Sequence, residues 1–153
     1  MPRAALAAAV SDADDRPLYE VLADAGKRVI RPGGAALTRR LVERLDVAPD
    51  DDVVEFAPGT GATARLALAA APRSYVGVER DEAAAAPLRA SLAAPEYAVR
   101  VASAGDTGLP DAVADAVDVE ALLAMQPAAG KAAVVSEAAR LLRPGGRYGV
   151  HEL

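Results

Sequence analysis

A glycine-rich turn between a short apolar strand and a helix is the feature that most constrains this chain. Val53–Phe56 is an apolar run that contains one acid, Glu55, and the segment GTGATA follows it, starting at Gly59 and including Gly61. This segment satisfies the G-x-G-x-x-G/A fingerprint of nucleotide-binding α/β domains. Because glycine lets the backbone approach a ligand closely, the turn predicts a nucleotide site.

Strand and helix patterns alternate from this turn onward. The predicted strands cover Val53–Phe56, Ser74–Glu79, Tyr97–Ser103 and Ala116–Leu123, and a fifth begins at Arg147. The predicted helices run from the glycine turn to Ala71, from a cap at Asp81 toward Leu92, and over Lys131–Arg143, where Pro144-Gly145-Gly146 ends the helix. Pro87 is expected to kink or split the second of these helices.

The residues before the first strand are predicted to be helical. One helix is expected over Leu18–Ala25. An amphipathic helix follows a Pro-Gly-Gly turn, and its apolar face carries Leu37, Leu41, Val42 and Leu45. We therefore divide the chain into an N-terminal helical cap, residues 1–49, and a ligand-binding domain, residues 50–153.

Repeated strand–helix units with short connections predict a doubly wound α/β fold with a mostly parallel sheet. Helices are expected on both faces of this sheet. In such folds the ligand lies outside the carboxyl ends of the strands, at the point where the strand order reverses. Because the glycine turn follows the first predicted strand, we expect the binding site there.

The composition excludes several kinds of site. The chain has 153 residues with no cysteine and one histidine, which excludes disulfides and cysteine-ligated metals and predicts no metal centre. Its formal net charge of −5 argues against a nucleic-acid partner, because such proteins need a basic surface. No apolar run reaches the ~20 residues that span a bilayer, and the first residues do not fit a signal peptide. We therefore expect a cytoplasmic protein with no membrane partner.

Three residues around the turn indicate which nucleotide it holds. Glu79 ends the second predicted strand, where a carboxylate can accept hydrogen bonds from ribose hydroxyls. Glu55 would repel a pyrophosphate but favour a cationic ligand. Pro58 removes a backbone N–H from the turn. Glu79 does not distinguish S-adenosylmethionine from NAD, because both carry a ribose. Glu55 and Pro58 favour S-adenosylmethionine, which carries an ammonium and a sulfonium.

Four segments, in order, resemble the class I S-adenosylmethionine-dependent methyltransferases and specifically the type 11/25-like methyltransferase domains. VVEFAPGTG resembles their motif I, and YVGVE resembles their second motif. AGDTGLP is similar to the loop after the third strand, and AARLLRPGGRYGVHE is similar to the post-motif region. The resemblance covers residues 53–153 and implies a Rossmann-like methyltransferase fold with S-adenosyl-L-methionine as cofactor.

The resemblance also implies which residues bind the cofactor. Glu79 would bind the ribose, and Asp106 would reach the adenine amino group with Thr107 or Gly105 beside the ring. The expected cofactor-binding residues are Glu55, Ala57, Gly59, Gly61, Glu79, Arg80, Asp106 and Thr107. Ala57 departs from the family pattern, which has glycine at this position.

Two polar residues near the ends of the last two predicted strands are candidates for catalysis. Glu120 would face the methyl group or the acceptor, and His151 would act as a general base. The alternative for Glu120 is a solvated carboxylate at a strand end. The alternative for His151 is an ordinary polar strand residue.

The family fold continues beyond the fifth strand, whereas this sequence ends at Leu153. The resemblance therefore predicts that strands six and seven are missing. It also predicts that strand five is an exposed edge, through which a second copy or another chain pairs. Three functions stay open: a methyltransferase with a small-molecule acceptor, an incomplete S-adenosylmethionine-binding module that needs a partner chain, or an NAD-dependent oxidoreductase.

Overall fold

Five parallel strands form the sheet in the computed structural model, which describes residues 33–152. The strands are β1 (Asp52–Phe56), β2 (Ser74–Glu79), β3 (Tyr97–Val101), β4 (Ala114–Glu120) and β5 (Leu142–His151). They lie in the order β3–β2–β1–β4–β5, and each neighbouring pair is parallel. The predicted helix over Leu18–Ala25 lies outside the described residues.

The helices of the described residues are α1 (Gly34–Leu45), α2 (Ala62–Leu68), α3 (Glu82–Ser91) and α4 (Ala128–Leu141), with a short 3₁₀ helix at Leu123–Met125. Asp81 caps α3 as predicted, because its side chain accepts a hydrogen bond from the Ala83 N–H at 2.9 Å. Across residues 33–152, no helix has the length and apolar character that a bilayer crossing requires.

The helices cover both faces of the sheet. Successive residues of a strand point to opposite faces, and Val53 and Val54 of β1 belong to two separate clusters of buried side chains. The cluster around Val53 includes residues of α1, α2 and α3, namely Leu45, Ala64 and Leu88. The cluster around Val54 includes Val134, Ala138 and Leu141 of α4. The predicted doubly wound α/β fold is therefore confirmed.

The strand order reverses at β1. This strand pairs with β2 on one side and with β4 on the other. The chain runs outward through β2 and β3 and then returns to β4 across β1. The carboxyl ends of β1 and β4 therefore flank the reversal, which is the place where open α/β sheets bind ligands.

Several predicted boundaries in the second half of the chain are wrong. β4 covers Ala114–Glu120 rather than Ala116–Leu123, because Ala114 is buried and pairs with Leu142. α4 ends at Leu141, and Pro144-Gly145-Gly146 lies inside β5 instead of ending the helix. The pairing between β4 and β5 shifts register along this segment, so β5 accommodates the three residues as an irregularity.

Other boundaries differ at helix and strand ends. α2 ends at Leu68 rather than Ala71, and β3 ends at Val101 rather than Ser103. Pro87 lies inside α3, which is one helix and is not split. Proline lacks an N–H and so removes one helical hydrogen bond, but buried Ala85 and Leu88 on either side of it hold the helix against the sheet.

The inner face of α1 includes Leu41, Val42 and Leu45 as predicted, but has Thr38 in place of Leu37. Thr38 and Leu45 are buried, whereas Leu37 is 42% exposed. Thr38, Leu41, Val42 and Leu45 form the inner stripe at i, i+3, i+4 and i+7. α1 lies against β5 and α2. The division between residues 1–49 and 50–153 stays a prediction.

Candidate functional site

The glycine loop joins β1 to α2 at the carboxyl edge of the sheet. Gly59 and Gly61 have φ angles of 52° and 72°, in the left-handed region that favours glycine. A Cβ on Gly61 would lie 2.8 Å from Leu88 Cδ1, so a larger residue there would also displace the Leu88 side chain of α3. A Cβ on Gly59 would meet nothing closer than the Ala57 carbonyl oxygen at 3.9 Å, so the loop leaves room for a ligand beside Gly59.

Ala57, which replaces the first glycine of the motif, has a φ angle of 53°. Its N–H donates to the Val78 carbonyl oxygen at 2.8 Å, which ties the start of the loop to β2. A left-handed conformation costs a residue with a Cβ about 1–2 kcal/mol. The loop therefore carries strain at Ala57, in a conformation that glycine adopts at little cost.

Glu55 is buried beneath this loop, with 3% of its surface exposed. The Tyr75 hydroxyl of β2 donates a hydrogen bond to Glu55 Oε2 at 2.7 Å. Burial and the nearby carboxylate raise the pKa of Tyr75 well above its ordinary value, so Tyr75 stays protonated as a donor. Asp118 of β4 pairs in register with Glu55 and is also buried. Sequence reasoning missed Asp118, although it is an acid inside an apolar run.

Glu79 ends β2, next to the glycine loop. Its Oε1 atom accepts hydrogen bonds from the backbone N–H groups of Arg80 at 2.8 Å and Asp81 at 3.2 Å. These bonds fix the carboxylate at the end of the strand. The Arg80 side chain is exposed, so the contact that the structure gives Arg80 here is its backbone N–H.

Asp106 and Thr107 lie in the loop after β3 but in different environments. Asp106 is exposed, and its N–H donates to the Ser103 carbonyl oxygen at 3.1 Å. Thr107 is buried, and its hydroxyl donates to Glu137 Oε1 of α4 at 2.5 Å. Asp106 is therefore open to solvent, whereas Thr107 is bound to α4.

The two candidate catalytic residues form one pair. His151 Nδ1 lies 2.9 Å from Glu120 Oε1, because β4 and β5 pair these two residues in register. Glu120 is only 7% exposed, which contradicts the alternative of a solvated carboxylate. The Thr63 hydroxyl donates to Glu120 Oε2 at 2.6 Å, and the Thr38 hydroxyl donates to it at 3.3 Å.

Sequence reasoning missed both threonines around Glu120. Thr63 lies in α2 directly after the glycine loop, and Thr38 lies in the apolar stripe of α1. A polar residue in an otherwise apolar helical stripe was the available signal for Thr38. No local pattern singled out Thr63.

The turn after β4 is held by the end of β5. Glu152 Oε1 accepts hydrogen bonds from the N–H groups of Leu122 and Leu123, both at 2.7 Å. Its Oε2 accepts one from the Ala124 N–H at 3.1 Å. This carboxylate caps the 3₁₀ helix and fixes the backbone beside the Glu120–His151 pair. A shallow groove of about 290 Å³ between α1 and β5 reaches His151 from outside and is lined also by Leu37, Arg40, Leu41, Arg44 and Val150.

Comparisons with other proteins identify relatives of this chain. An uncharacterized protein of Haemophilus influenzae is 33% identical over 146 residues, which are 92% of this chain and 58% of that protein. Ribosomal RNA small subunit methyltransferase A of Streptomyces griseus is 46% identical over 70 residues, which are 44% of this chain and 24% of that protein.

A solved structure shares the fold. Geranyl diphosphate C-methyltransferase from Streptomyces coelicolor, in complex with Mg²⁺, geranyl diphosphate and S-adenosyl-L-homocysteine, superposes with a TM-score of 0.65 and 25% identity over 76% of this chain and 44% of that one. The chain spans about half the length of the solved structures that it matches. The model of the family described as methyltransferase domain matches residues 53–146, from β1 into β5. This chain therefore belongs to the methyltransferase domain family and has its Rossmann-like fold.

Proposed function

We propose that this chain binds S-adenosyl-L-methionine at the carboxyl edge of the sheet and transfers its methyl group to a small molecule. The observation that carries the proposal is the open glycine loop at Gly59 beside the fixed carboxylate of Glu79. Family membership supports the reaction class. The structural similarity to a geranyl diphosphate C-methyltransferase supports a small-molecule acceptor.

The residues at this edge fit a cationic nucleoside. Glu79 Oε2 accepts no hydrogen bond from the described residues, which leaves it available to ribose hydroxyls. Asp106 presents an exposed carboxylate to an adenine amino group. Glu55 places negative charge beneath the loop, where it favours a sulfonium and an ammonium over a pyrophosphate.

In this proposal the other predicted cofactor residues shape or hold the loops of the site. Ala57 and Gly61 shape the loop through their left-handed conformations. Arg80 holds Glu79 through its N–H. Thr107 fixes the loop that carries Asp106 through its bonds to Glu137.

Glu120 and His151 are assigned to the acceptor. S-adenosyl-L-methionine supplies an electrophilic methyl group when bound. His151 Nδ1 faces Glu120, so Nε2 is the ring nitrogen that takes a proton from the nucleophilic atom of the acceptor as that atom gains the methyl group. Glu120 orients the ring and stabilises the imidazolium that results. Thr63 and Thr38 hold Glu120 in place.

Thermal denaturation with S-adenosylhomocysteine and with NAD tests the proposal. A ligand that binds only the folded protein stabilises it by about 2.7 kcal/mol at a hundredfold excess over Kd. We expect S-adenosylhomocysteine to raise the melting temperature and NAD to leave it unchanged. Stabilisation by NAD alone would overturn the proposal in favour of an oxidoreductase.

Glu79→Ala should abolish the stabilisation by S-adenosylhomocysteine, because it removes the acceptor for the ribose hydroxyls. Glu82→Ala is the matched control, since it removes an acid of the same charge that pairs with Arg89 on the surface of α3. The control should keep the full stabilisation. An unchanged effect of S-adenosylhomocysteine on Glu79→Ala would show that the ribose lies elsewhere.

A second candidate is a cofactor-binding module that another chain completes. β5 is one of the two edge strands of the sheet, and in the described residues it pairs with β4 alone. Val150 of this strand is 44% exposed, and such an edge can accept another strand. Light scattering tests whether a second copy pairs here: a dimer that Val150→Lys dissociates would support this candidate, and a monomer would exclude a second copy.

RNA is the competing acceptor class. The acidic net charge favours a small molecule, but one relative is a ribosomal RNA methyltransferase. Methyl transfer from labelled cofactor to total RNA, measured beside transfer to a small-molecule extract, separates the two. Incorporation into RNA alone would correct the acceptor without changing the cofactor. A cytoplasmic location stays a prediction.

A further inference from the structure

A single buried carboxylate on α4 holds the loop after β3. Glu137 Oε1 accepts hydrogen bonds from the Thr107 N–H at 2.9 Å and from the Thr107 hydroxyl at 2.5 Å. Arg140 binds both carboxylate oxygens of Glu137, from Nη2 to Oε1 at 2.7 Å and from Nε to Oε2 at 2.8 Å. Because Glu137 is 8% exposed, water competes little for these bonds.

Further contacts hold the same loop. Arg100 of β3 donates from Nε to the Thr107 carbonyl oxygen at 2.6 Å. The Thr107 hydroxyl accepts a hydrogen bond from the Leu109 N–H at 3.1 Å. Gly105 packs against α4 so closely that a Cβ on it would lie 3.0 Å from Ala133 Cβ. The backbone on both sides of Asp106 is therefore fixed to β3 and α4.

The direction of the Asp106 side chain depends on this backbone. Within the described residues, the Asp106 carboxylate makes no hydrogen bond, and the residue is exposed. No side-chain contact described for Asp106 orients its carboxylate. The neighbouring residue, Thr107, is the one whose N–H, hydroxyl and carbonyl are all bound.

We propose that Glu137 is a positioning residue for base recognition: it fixes Thr107 so that Asp106 accepts a hydrogen bond from the adenine amino group. This inference rests on the proposed function, because it requires the base of the cofactor to lie at this loop. Glu137 itself does not touch the cofactor. Its effect is on which base the site prefers, and a residue that only stabilised the fold would not change that preference.

The test compares affinities for S-adenosylhomocysteine and S-inosylhomocysteine, in which a carbonyl oxygen replaces the amino group of the base. We expect the wild type to prefer adenine about tenfold, since one hydrogen bond to a charged group is worth about 1.5 kcal/mol. Glu137→Gln should reduce the preference to less than about threefold, because the amide cannot replace the carboxylate that binds Arg140 and Thr107 together. Thr107→Val, which removes both hydrogen bonds of the hydroxyl but keeps the bond from the Thr107 N–H to Glu137, should reduce it in the same direction and to a smaller extent.

Asp52→Asn is the matched control. Asp52 also binds two arginines, Arg73 and Arg143, but at the amino end of β1. This variant loses ion pairs of the same kind and should keep the wild-type preference for adenine. Hydrogen exchange gives a second measurement, in which the amides of residues 103–109 should exchange faster in Glu137→Gln than in Asp52→Asn.

The outcomes separate the inference from the proposed function. If the wild type binds neither compound, the proposed function fails and the inference fails with it. If the wild type binds both compounds equally, or Glu137→Gln keeps the wild-type preference, the inference alone fails. If Glu137→Gln does not fold, the Thr107→Val result decides, and an unchanged preference there overturns the inference.

Discussion

The two ends of strand β1 hold their carboxylates with different partners. At the amino end, Asp52 accepts hydrogen bonds from Arg73 at 3.0 and 2.5 Å and from Arg143 at 2.8 Å. At the carboxyl end, the bond described for Glu55 comes from the Tyr75 hydroxyl. Those described for Glu120, at the end of the adjacent β4, come from Thr63, Thr38 and His151.

The partners determine what each end can do. A guanidinium neutralises a carboxylate, and the bond from Arg73 holds the pKa of Asp52 well below its ordinary value. The hydroxyls of Tyr75, Thr63 and Thr38 donate neutral hydrogen bonds, which orient Glu55 and Glu120. The amino end therefore stabilises the fold through ion pairs, whereas the bonds described at the carboxyl end position the carboxylates that the proposed function assigns to the cofactor and the acceptor.

Glu137 is an exception to this division, because it pairs with Arg140 near the carboxyl edge of the sheet. Its contribution to the stability of the fold should therefore depend on pH. The bonds from Arg140 lower the pKa of Glu137 from 4.5 to about 2. Because the pKa of Glu137 is lower in the folded protein than in the unfolded chain, the ionised carboxylate stabilises the fold at pH values above about 4.5. This stabilisation is lost as pH falls from about 4.5 to about 2. Its size is ~3 kcal/mol. Urea unfolding measures the free energies of unfolding of the wild type and of Glu137→Gln. The difference between them should shrink by ~3 kcal/mol as pH falls from about 4.5 to about 2, and a constant difference would contradict the account.

Asp52→Asn tests whether the amino end of β1 contributes to stability and not to binding. The variant removes one of the two carboxylates that bind Arg73 and Arg143, which keep Asp115, and should lower the free energy of unfolding by about 2 kcal/mol. Chemical denaturation at neutral pH measures this loss. Affinity for S-adenosylhomocysteine should stay within about twofold of the wild type, since Asp52 lies at the opposite end of β1. A tenfold loss of affinity would show that the two ends are not separate.

Ala57→Gly gives the smallest expected effect, and it is a gain. Glycine relieves about 1 kcal/mol of left-handed strain at this position but adds entropy to the unfolded chain, so the net stabilisation is about 0.5 kcal/mol. Ala62→Gly, in the first turn of α2, is the control and should destabilise the protein. Equal losses of unfolding free energy from the two substitutions would show that the left-handed conformation does not strain Ala57.

Local patterns predicted the fold and several of its turns and caps. The glycine loop, Glu79 and Asp81 follow from short segments, because turn and cap chemistry depends on residues that are neighbours in sequence. The Glu120–His151 contact required the register between β4 and β5, which no local pattern contains. The shape of β5 was mispredicted for the same reason, since its irregular pairing accommodates a Pro-Gly-Gly segment that resembles a helix stop.

Glu137 shows a signal that sequence reasoning did not use. Val134, Glu137, Ala138 and Leu141 are the buried residues of α4, spaced i, i+3, i+4 and i+7. An acid inside an apolar helical stripe must find donors when it is buried. The stripe was visible in the sequence, but its donors on Thr107 lie 30 residues away along the chain, so only the fold could identify them.

Titration of ¹⁵N-labelled protein with S-adenosylhomocysteine tests the division between the two ends most directly. Two-dimensional NMR spectra report each backbone amide, so they locate the ligand without a substitution. We expect the largest changes at Gly59, Gly61 and Arg80, around the carboxyl ends of β1 and β2, and little change at Asp52 and Arg73. Largest changes at the amino end, or no changes at saturating ligand, would contradict the account.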